Sequence, residues 1–310
     1  MSESIESIPE ESHPTRAGLV TLVGLPNVGK SSLLNRLIDQ KLSIVTPFAQ
    51  TTRERVVGID SRDGAQMIFV DTPGIVDPAY LLHHSMLGLI RDALSDTDVV
   101  VLLLDGRDPP PELGEEMLSL LNRSGSRLVV AINKIDIATT AAVARLRSWA
   151  HNQLEVPAIS ISAATGAGVD ELRARIIAGL PASPFLYPDD ELSTQSVRFF
   201  VSELIRETVF EQYQEEIPYS VAVRVDEFRE AEDPLFIRAT IYVERASQKG
   251  ILIGRRGAAI RELGTASRRK IEIFVGRRIY LDLWIKILPN WRKKSIELQR
   301  LGFPVPPEKA

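Results

Sequence analysis

The sequence contains no cysteine, which excludes disulfide bonds and thiolate metal sites. That composition suits a reducing cytoplasm. Histidines number only 4, and His83 and His84 have no third nitrogen or thiolate beside them, so they are expected as surface residues rather than metal ligands. No apolar run approaches membrane-spanning length. The stretch 1–16 is acidic and polar with two prolines and lacks the basic–apolar pattern of a signal peptide, which points to a disordered tail. What the chain does hold is apolar material, 44% of 310 residues, enough for the cores of about two domains.

Gly24-Leu-Pro-Asn-Val-Gly-Lys-Ser31 fills every required position of a phosphate-binding loop. It follows a strand-like run, Leu19-Val-Thr-Leu-Val23, and precedes a helix-like one from Ser32 to Ile38. Gly24 and Gly29 allow a turn tight enough for successive N–H groups to face phosphate oxygens. The helix beginning near Gly29 adds the positive end of its dipole. Lys30 is expected to neutralise the β- and γ-phosphates and Ser31 to offer its hydroxyl to Mg²⁺, with Asn27, Gly29 and Ser32 in the same site. The loop implies a nucleoside triphosphate.

Asn133-Lys-Ile-Asp136 ends a strand-like run at 127–132, where ligands of open α/β sheets sit. Guanine presents a ring N–H beside an exocyclic amine, and the Asp136 carboxylate can accept from both. Adenine would leave that carboxylate unpaired. Asn133 can bond the base and the phosphate loop, while the Lys134 stem can lie over the ring. Ser162 and Ala163, in Ser162-Ala-Ala-Thr-Gly166, are expected to supply backbone donors for the guanine carbonyl. The nucleotide pair implied is GTP and GDP.

Between these motifs lies Asp71-Thr-Pro-Gly74, with Asp71 placed to hold Mg²⁺ and the Gly74 N–H to sense the γ-phosphate. A threonine of Gln50-Thr-Thr-Arg53 should complete the Mg²⁺ shell; Thr52 is favoured and Thr51 is the rival. Lys30, Thr52 and Gly74 are thus the candidate catalytic groups. One more absence matters here. Ile75 stands where Ras-like proteins carry a water-orienting glutamine, so intrinsic hydrolysis should be slow or depend on another group. In related GTPases with this phosphate-loop sequence, an asparagine at the position of Asn27 helps hold K⁺. A local loop-capping role for Asn27 is an equal alternative.

The net charge of −4 hides an asymmetry. Residues 1–194 carry 16 basic and 25 acidic side chains, whereas residues 195–310 carry 21 and 16. Arg245 to Lys294 alone holds 14 basic against 3 acidic residues, the footprint of a polyanion partner. Three prolines in Leu180-Pro-Ala-Ser-Pro-Phe-Leu-Tyr-Pro-Asp-Asp190 mark a semi-rigid linker. This gives a tail at 1–16, a nucleotide domain at 17–180, a linker at 181–194 and a basic domain at 195–310. The first domain reads as a mostly parallel sheet with helices on both faces. The second reads as a helix at 197–210, strands at 219–228 and 235–243, a helix from about 258 to 274, a strand at 278–287 and a helix at 290–301.

Gly254-Arg-Arg-Gly257 lies after an apolar segment and before a helix, inside the basic window. Such a G-x-x-G turn is how KH modules clamp single-stranded nucleic acid. Arg255 and Arg256 offer charge-assisted phosphate contacts, with Arg268, Arg269 and Lys270 continuing the basic face. Few aromatics accompany them, so clamping is expected without a stacking platform, and Trp284 is expected in the core of its alternating strand.

These four nucleotide motifs, joined to a KH-like module ending in Tyr280-Leu-Asp-Leu-Trp-Ile-Lys286 and Gly302-Phe303, resemble the Era family of bacterial GTPases. The resemblance covers nearly everything from Gly18 to Phe303. It implies an α/β P-loop GTPase domain followed by an α+β type II KH-like domain, in a monomeric cytoplasmic protein. It implies binding near the 3′ end of small-subunit ribosomal RNA, a part in maturation of the small ribosomal subunit, and peripheral contact with the inner face of the membrane. Two other readings stand beside a GTP-hydrolysing switch: an RNA-assembly scaffold with negligible turnover, and a membrane-attached cell-cycle regulator.

Overall fold

The computed structural model describes residues 15–46, 51–75, 79–114, 117–119, 121 and 127–305. The tail before Thr15 and Gln50 of the threonine motif lie outside them. The first domain is built on strands β1 (Arg16–Val23), β2 (Val56–Arg62), β3 (Ala65–Asp71), β4 (Val99–Asp105), β5 (Arg127–Asn133) and β6 (Ala158–Ser160). They form one sheet in the order β2-β3-β1-β4-β5-β6, in which only β2 runs antiparallel to its neighbour. Arg16, expected in the tail, begins β1 instead. β3 and β4 are buried at every position because helices cover both sheet faces, which explains their unbroken apolar runs. Helices α1 (Lys30–Ile38) and α4 (Val169–Gly179) pack through Leu33, Leu37, Leu172 and Ile176 on one face. Helices α2 (Leu81–Ser95) and α3 (Thr140–Leu154) pack through Ile90, Leu94, Leu146 and Ala150 on the other. Every parallel strand therefore delivers its carboxyl end, and the loop that follows, to one rim of the sheet.

The proline-rich segment does not stand free. The Gln66 side chain accepts from the Leu186 and Tyr187 N–H groups and donates to the Tyr187 carbonyl. The Ile59 N–H on edge strand β2 donates to the Leu192 carbonyl. The linker thereby covers a sheet edge whose backbone groups would otherwise be open to pairing.

The second domain opens with α5 (Val197–Gln212), followed by α6 (Ile217–Ser220) and strands β7 (Ala222–Arg229) and β8 (Leu235–Val243). Then come α7 (Ala246–Ile253), α8 (Ala258–Val275), β9 (Ile279–Ile287) and α9 (Ser295–Arg300). Its sheet runs β7-β8-β9, antiparallel at the first pair and parallel at the second. Val209, Leu252, Leu263 and Ile271 cover one sheet face.

Three expectations change here, and one segment that carried no assignment gains one. The strand expected from 219 starts at Ala222, because Ile217–Ser220 forms a helical turn with proline in its first turn. The apolar segment before the G-x-x-G turn is the end of α7. The helix expected at 290–301 divides into a 3₁₀ turn at Trp291–Lys293 and α9. Trp284 is 52% exposed, because Ile279 and Ile285 of β9 are the residues that face the core. In a strand of period two the even positions, Tyr280 and Trp284 among them, must then face away.

The two domains share an apolar contact. Leu82 and Met86 of α2 cluster with Ala222, Tyr242, Trp291 and Phe303, and the Ser85 hydroxyl donates to the Pro304 carbonyl. Buried Glu207 adds a polar tie, its carboxylate 2.8 Å from both Lys41 of the first domain and Lys270 of α8.

Candidate nucleotide site and nucleic-acid interface

The phosphate loop joins β1 to α1 at the carboxyl rim, where Gly29 adopts φ +99°. A Cβ on Gly29 would lie 2.3 Å from the Asn133 amide nitrogen, so only glycine fits between the two loops. Lys30 is buried, with Nζ 3.1 Å from the carbonyls of both Gly24 and Leu25. Burial lowers its pKa to about 8, opposed by the charge of Asp71.

Three oxygens meet one residue into the helix. Ser31 Oγ donates to Asp71 Oδ2 at 2.7 Å, and Thr52 Oγ1 lies 3.0 Å from Ser31 Oγ. Thr51 instead turns toward Thr46, 2.9 Å away, so Thr52 is the threonine that joins this cluster. Asp71 is fully buried, and among the described residues its Oδ1 has no hydrogen-bond partner. Burial raises its pKa, against the pull of Lys30 and the neighbouring hydroxyls. An orphaned carboxylate oxygen beside two hydroxyls is a hard-oxygen donor set that fits Mg²⁺, which takes few protein ligands and completes its shell with phosphate and water. Among the described residues no group of three His, Cys, Asp or Glu side chains could hold a metal by itself.

Gly74 closes over this cluster. A Cβ there would come within 2.9 Å of Pro26 in the phosphate loop, and the Ile75 N–H donates to the Gly24 carbonyl at 3.1 Å. The Ile75 side chain packs into the apolar cluster with Ile90 and Leu104, so it presents no polar atom to a water.

On the far side, Asn133 is 2% exposed and bonded at both ends of its amide. Its nitrogen donates to the Val28 carbonyl (2.8 Å) and its oxygen accepts from the Ala163 N–H (2.9 Å). The Ser162 N–H donates to the Ala167 carbonyl. The N–H groups expected from Ser162 and Ala163 for guanine are therefore engaged within the protein, that of Ala163 on Asn133 and that of Ser162 on its own turn. Lys134 Nζ bonds the Asn27 carbonyl (2.5 Å) and Asp105 Oδ2 (2.7 Å), and Asp136 is exposed.

Asp105 and Arg107 belong to none of the sequence motifs. Although burial opposes it, hydrogen bonds from Arg107 and Lys134 hold the Asp105 carboxyl at about 2. Asp105 thus stays ionised and steadies the Lys134 ammonium. An acidic residue ending the strand before the asparagine motif was its only sequence signal. Together these loops enclose a cleft of about 340 Å³ lined by Asn27, Lys30, Ser31, Thr52, Gly74 and Lys134, among others. Ser32 borders the same cleft.

His83, expected at the surface, is 5% exposed: its Nδ1 accepts from the Ala79 N–H and its ring lies 3.9 Å from that of Tyr80. Its neighbour His84 is exposed.

The G-x-x-G turn links α7 to α8. Gly254 has φ +69°, and a Cβ there would sit 2.6 Å from that of Ala259. Gly257 has φ +75°, where a Cβ would meet only the flexible end of Arg261 at 3.3 Å. Between them Arg256 takes φ 53°, a left-handed backbone for a non-glycine residue. Arg255, Arg256, Arg268 and Arg269 are all exposed. Lys270 is not part of that free basic face, because Glu207 and Glu211 bind it at 2.8 and 2.6 Å.

A family model described as "50S ribosome-binding GTPase" matches residues 19–134, and one described as "KH domain" matches residues 216–292. The GTPase Era of Geobacter metallireducens is 38% identical over 294 residues, 94% of this chain and 99% of that protein. This chain belongs to the GTPase Era family. The Era of Thermotoga maritima is 40% identical across 93% of the chain and 97% of its own length. A crystal structure of an Aquifex aeolicus Era variant bound to GDP·AlF4⁻ covers 94% of the chain with a TM-score of 0.89 at 36% identity. A further Era structure, in complex with MgGDPNP and nucleotides 1506–1542 of 16S ribosomal RNA, gives the same coverage and TM-score at 35% identity. Both cover 100% of the matched chain, so the domain order is shared as well. The chain is an Era-family GTPase.

Proposed function

We propose that this GTPase binds small-subunit ribosomal RNA near its 3′ end through the KH-like domain and assists maturation of the small ribosomal subunit. The observation that carries this reading is the exposed Arg255–Arg256 turn, held open by two positive-φ glycines, in a chain whose full-length relative is described with nucleotides 1506–1542 of 16S RNA. The domain boundaries follow the linker, with the nucleotide domain ending near Leu180 and the RNA-binding domain beginning near α5.

In the nucleotide domain, the loop N–H groups and Lys30 take the phosphates, and Asp136 accepts from the guanine edge. Lys134, steadied by Asp105, lies along the base. Ser31, Thr52 and Asp71 would hold Mg²⁺, which supplies charge stabilisation at the β- and γ-phosphate oxygens. Gly74 reports the γ-phosphate. Because Ile75 is packed away and offers no polar atom, hydrolysis draws on a group from outside the sensor loop; K⁺ held at Asn27, in the charge-stabilising role of an arginine finger, is the candidate, with a local loop-capping role for Asn27 as the equal alternative. Ile75 also keeps the slow-turnover scaffold as a second reading. Single-turnover GTP hydrolysis with and without RNA separates the two: turnover that RNA alters supports the switch, and no turnover in either condition supports the scaffold. Era-family resemblance further implies a cytoplasmic protein with peripheral membrane contact. No described helix is long and apolar enough to cross a membrane, so such contact is of the surface kind.

A further inference from the structure

Thr52 and Arg53 are adjacent in the chain, yet their side chains serve different domains. Thr52 joins Ser31 and Asp71 at the metal-facing cluster. Arg53 is 4% exposed, and its guanidinium donates to the carbonyls of Val221 (2.6 Å), Tyr219 (3.0 Å) and Pro218 (3.1 Å) in the KH-like domain. Those carbonyls belong to the end of α6 and the residue that leads into β7. The Trp291 ring lies 5.9 Å from the guanidinium, and Trp291 Nε1 donates to the Ser220 carbonyl in the same turn.

A buried guanidinium is costly unless its donors are satisfied. Among the described residues its hydrogen-bond partners are all carbonyls of the other domain, so Arg53 is satisfied in the docked arrangement and loses those partners when the domains separate. Consecutive Cα atoms are about 3.8 Å apart, so a change in Arg53 moves Thr52. The reverse holds too: drawing Thr52 toward a metal bound at Ser31 and Asp71 pulls on the turn that starts β7. A second contact ties the γ-phosphate side to the same place, since α2 follows Gly74 in the chain and packs Leu82 and Met86 against Trp291 and Ala222.

We infer that Arg53 is a positioning residue: the KH-like domain, gripping it through the Pro218, Tyr219 and Val221 carbonyls, sets Thr52 at the metal site. Nucleotide state and RNA affinity are then coupled through one peptide unit. This rests on the GTP-switch reading above and names the residue that transmits it.

The test uses the full-length protein. RNA affinity is measured in GDP and in a non-hydrolysable GTP analogue, for wild type, Arg53→Gln and Arg53→Lys, and Mg²⁺ is titrated into analogue binding. The wild-type ratio of RNA affinities in the two nucleotides is expected to be roughly fivefold or more, in the ordinary range of coupling between sites. Arg53→Gln should bring that ratio to within about twofold of one and raise the Mg²⁺ needed for half-maximal analogue binding. GDP affinity, which does not need Thr52, should stay at the wild-type level. Arg53→Lys, whose ammonium can reach part of the carbonyl set, should fall between them. A merely structural arginine would move stability without moving the Mg²⁺ requirement. If Arg53→Gln does not fold, Arg53→Met keeps the stem over Trp291 and removes every donor, with the same expectation. A variant that keeps both the wild-type ratio and the wild-type Mg²⁺ requirement overturns the inference. A wild-type ratio of one overturns the switch reading itself, and this inference with it.

Discussion

The Asn133 side chain donates to the Val28 carbonyl at 2.8 Å, tying the guanine-facing loop to the phosphate loop. Asn133 is therefore committed inside the protein, whereas Asp136 is exposed, and the base-reading role proposed for it is open to test. Asp136→Asn replaces an acceptor by an amide NH₂ that faces donors on guanine. Preference should shift from guanosine toward xanthosine nucleotides by roughly fivefold to a hundredfold, since a mismatched polar contact costs about 1–3 kcal/mol. Competition binding with the two triphosphates checks this; unchanged selectivity would remove Asp136 from the base site.

Lys30 gives the site a pH dependence. Its pKa in the free protein is lowered to about 8 by burial, and phosphate needs the cation. Triphosphate affinity should accordingly be full below about 8 and decline as pH rises through it. A fluorescent GTP analogue titrated on either side of that value reads the decline, and Lys30→Gln should bind weakly with a flat profile.

Asn27 carries the K⁺ proposal. Hydrolysis should be faster in K⁺ than in Na⁺ at equal ionic strength, and Asn27→Ala should abolish the difference. Equal rates in the two salts would end the proposal and leave the fold untouched.

The two glycines of the clamp differ in what they tolerate. Gly254 has no room for a Cβ, whereas at Gly257 a Cβ meets only the end of Arg261. Gly257→Asp is thus the cleaner probe, and it should lose RNA binding by placing a carboxylate where phosphate approaches. Converting Arg255 and Arg256 together to alanine should flatten the slope of log affinity against log salt by roughly 0.7 per lost contact. Guanine-nucleotide binding should stay at the wild-type level in both. Normal RNA binding by Gly257→Asp would place the clamp elsewhere.

Glu54 sits behind the threonine loop with its pKa raised to about 7 by burial and by the charge of Glu203, against Arg206 and Arg53. The folded state therefore holds this proton more tightly than the unfolded chain, whose value is 4.5. The associated stability is full below 4.5 and is lost as pH rises through about 7. Glu54→Gln should melt closer to wild type at pH 5 and above it at pH 8. Thermal unfolding across that window decides, and parallel profiles would refute it.

Much of the nucleotide domain was legible because its information is local. Gly24 to Ser31, Asp71 to Gly74 and Asn133 to Asp136 are short runs whose residue types follow from the chemistry of phosphate, Mg²⁺ and guanine. Strand ends bring them to one rim in any parallel sheet. The β8 boundaries were equally plain, since the alternation of Leu235–Val243 needs no distant partner to be seen. Tertiary structure decided what depends on a partner far away in the chain. Sequence favours Thr52 and leaves Thr51 as its rival, and the approach of Ser31 and Asp71 separates them. Trp284 fell on the exposed side because the parity of a strand is set by which face the helices cover. Lys270 looks like any basic residue of the RNA face until buried Glu207, more than sixty residues earlier, claims it. Arg53 reads as the last letter of a loop motif; only the docked second domain, by offering three carbonyls to a buried guanidinium, gives it a partner. Short-range chemistry is written in consecutive residues, whereas burial and long-range pairing exist only once the chain has packed.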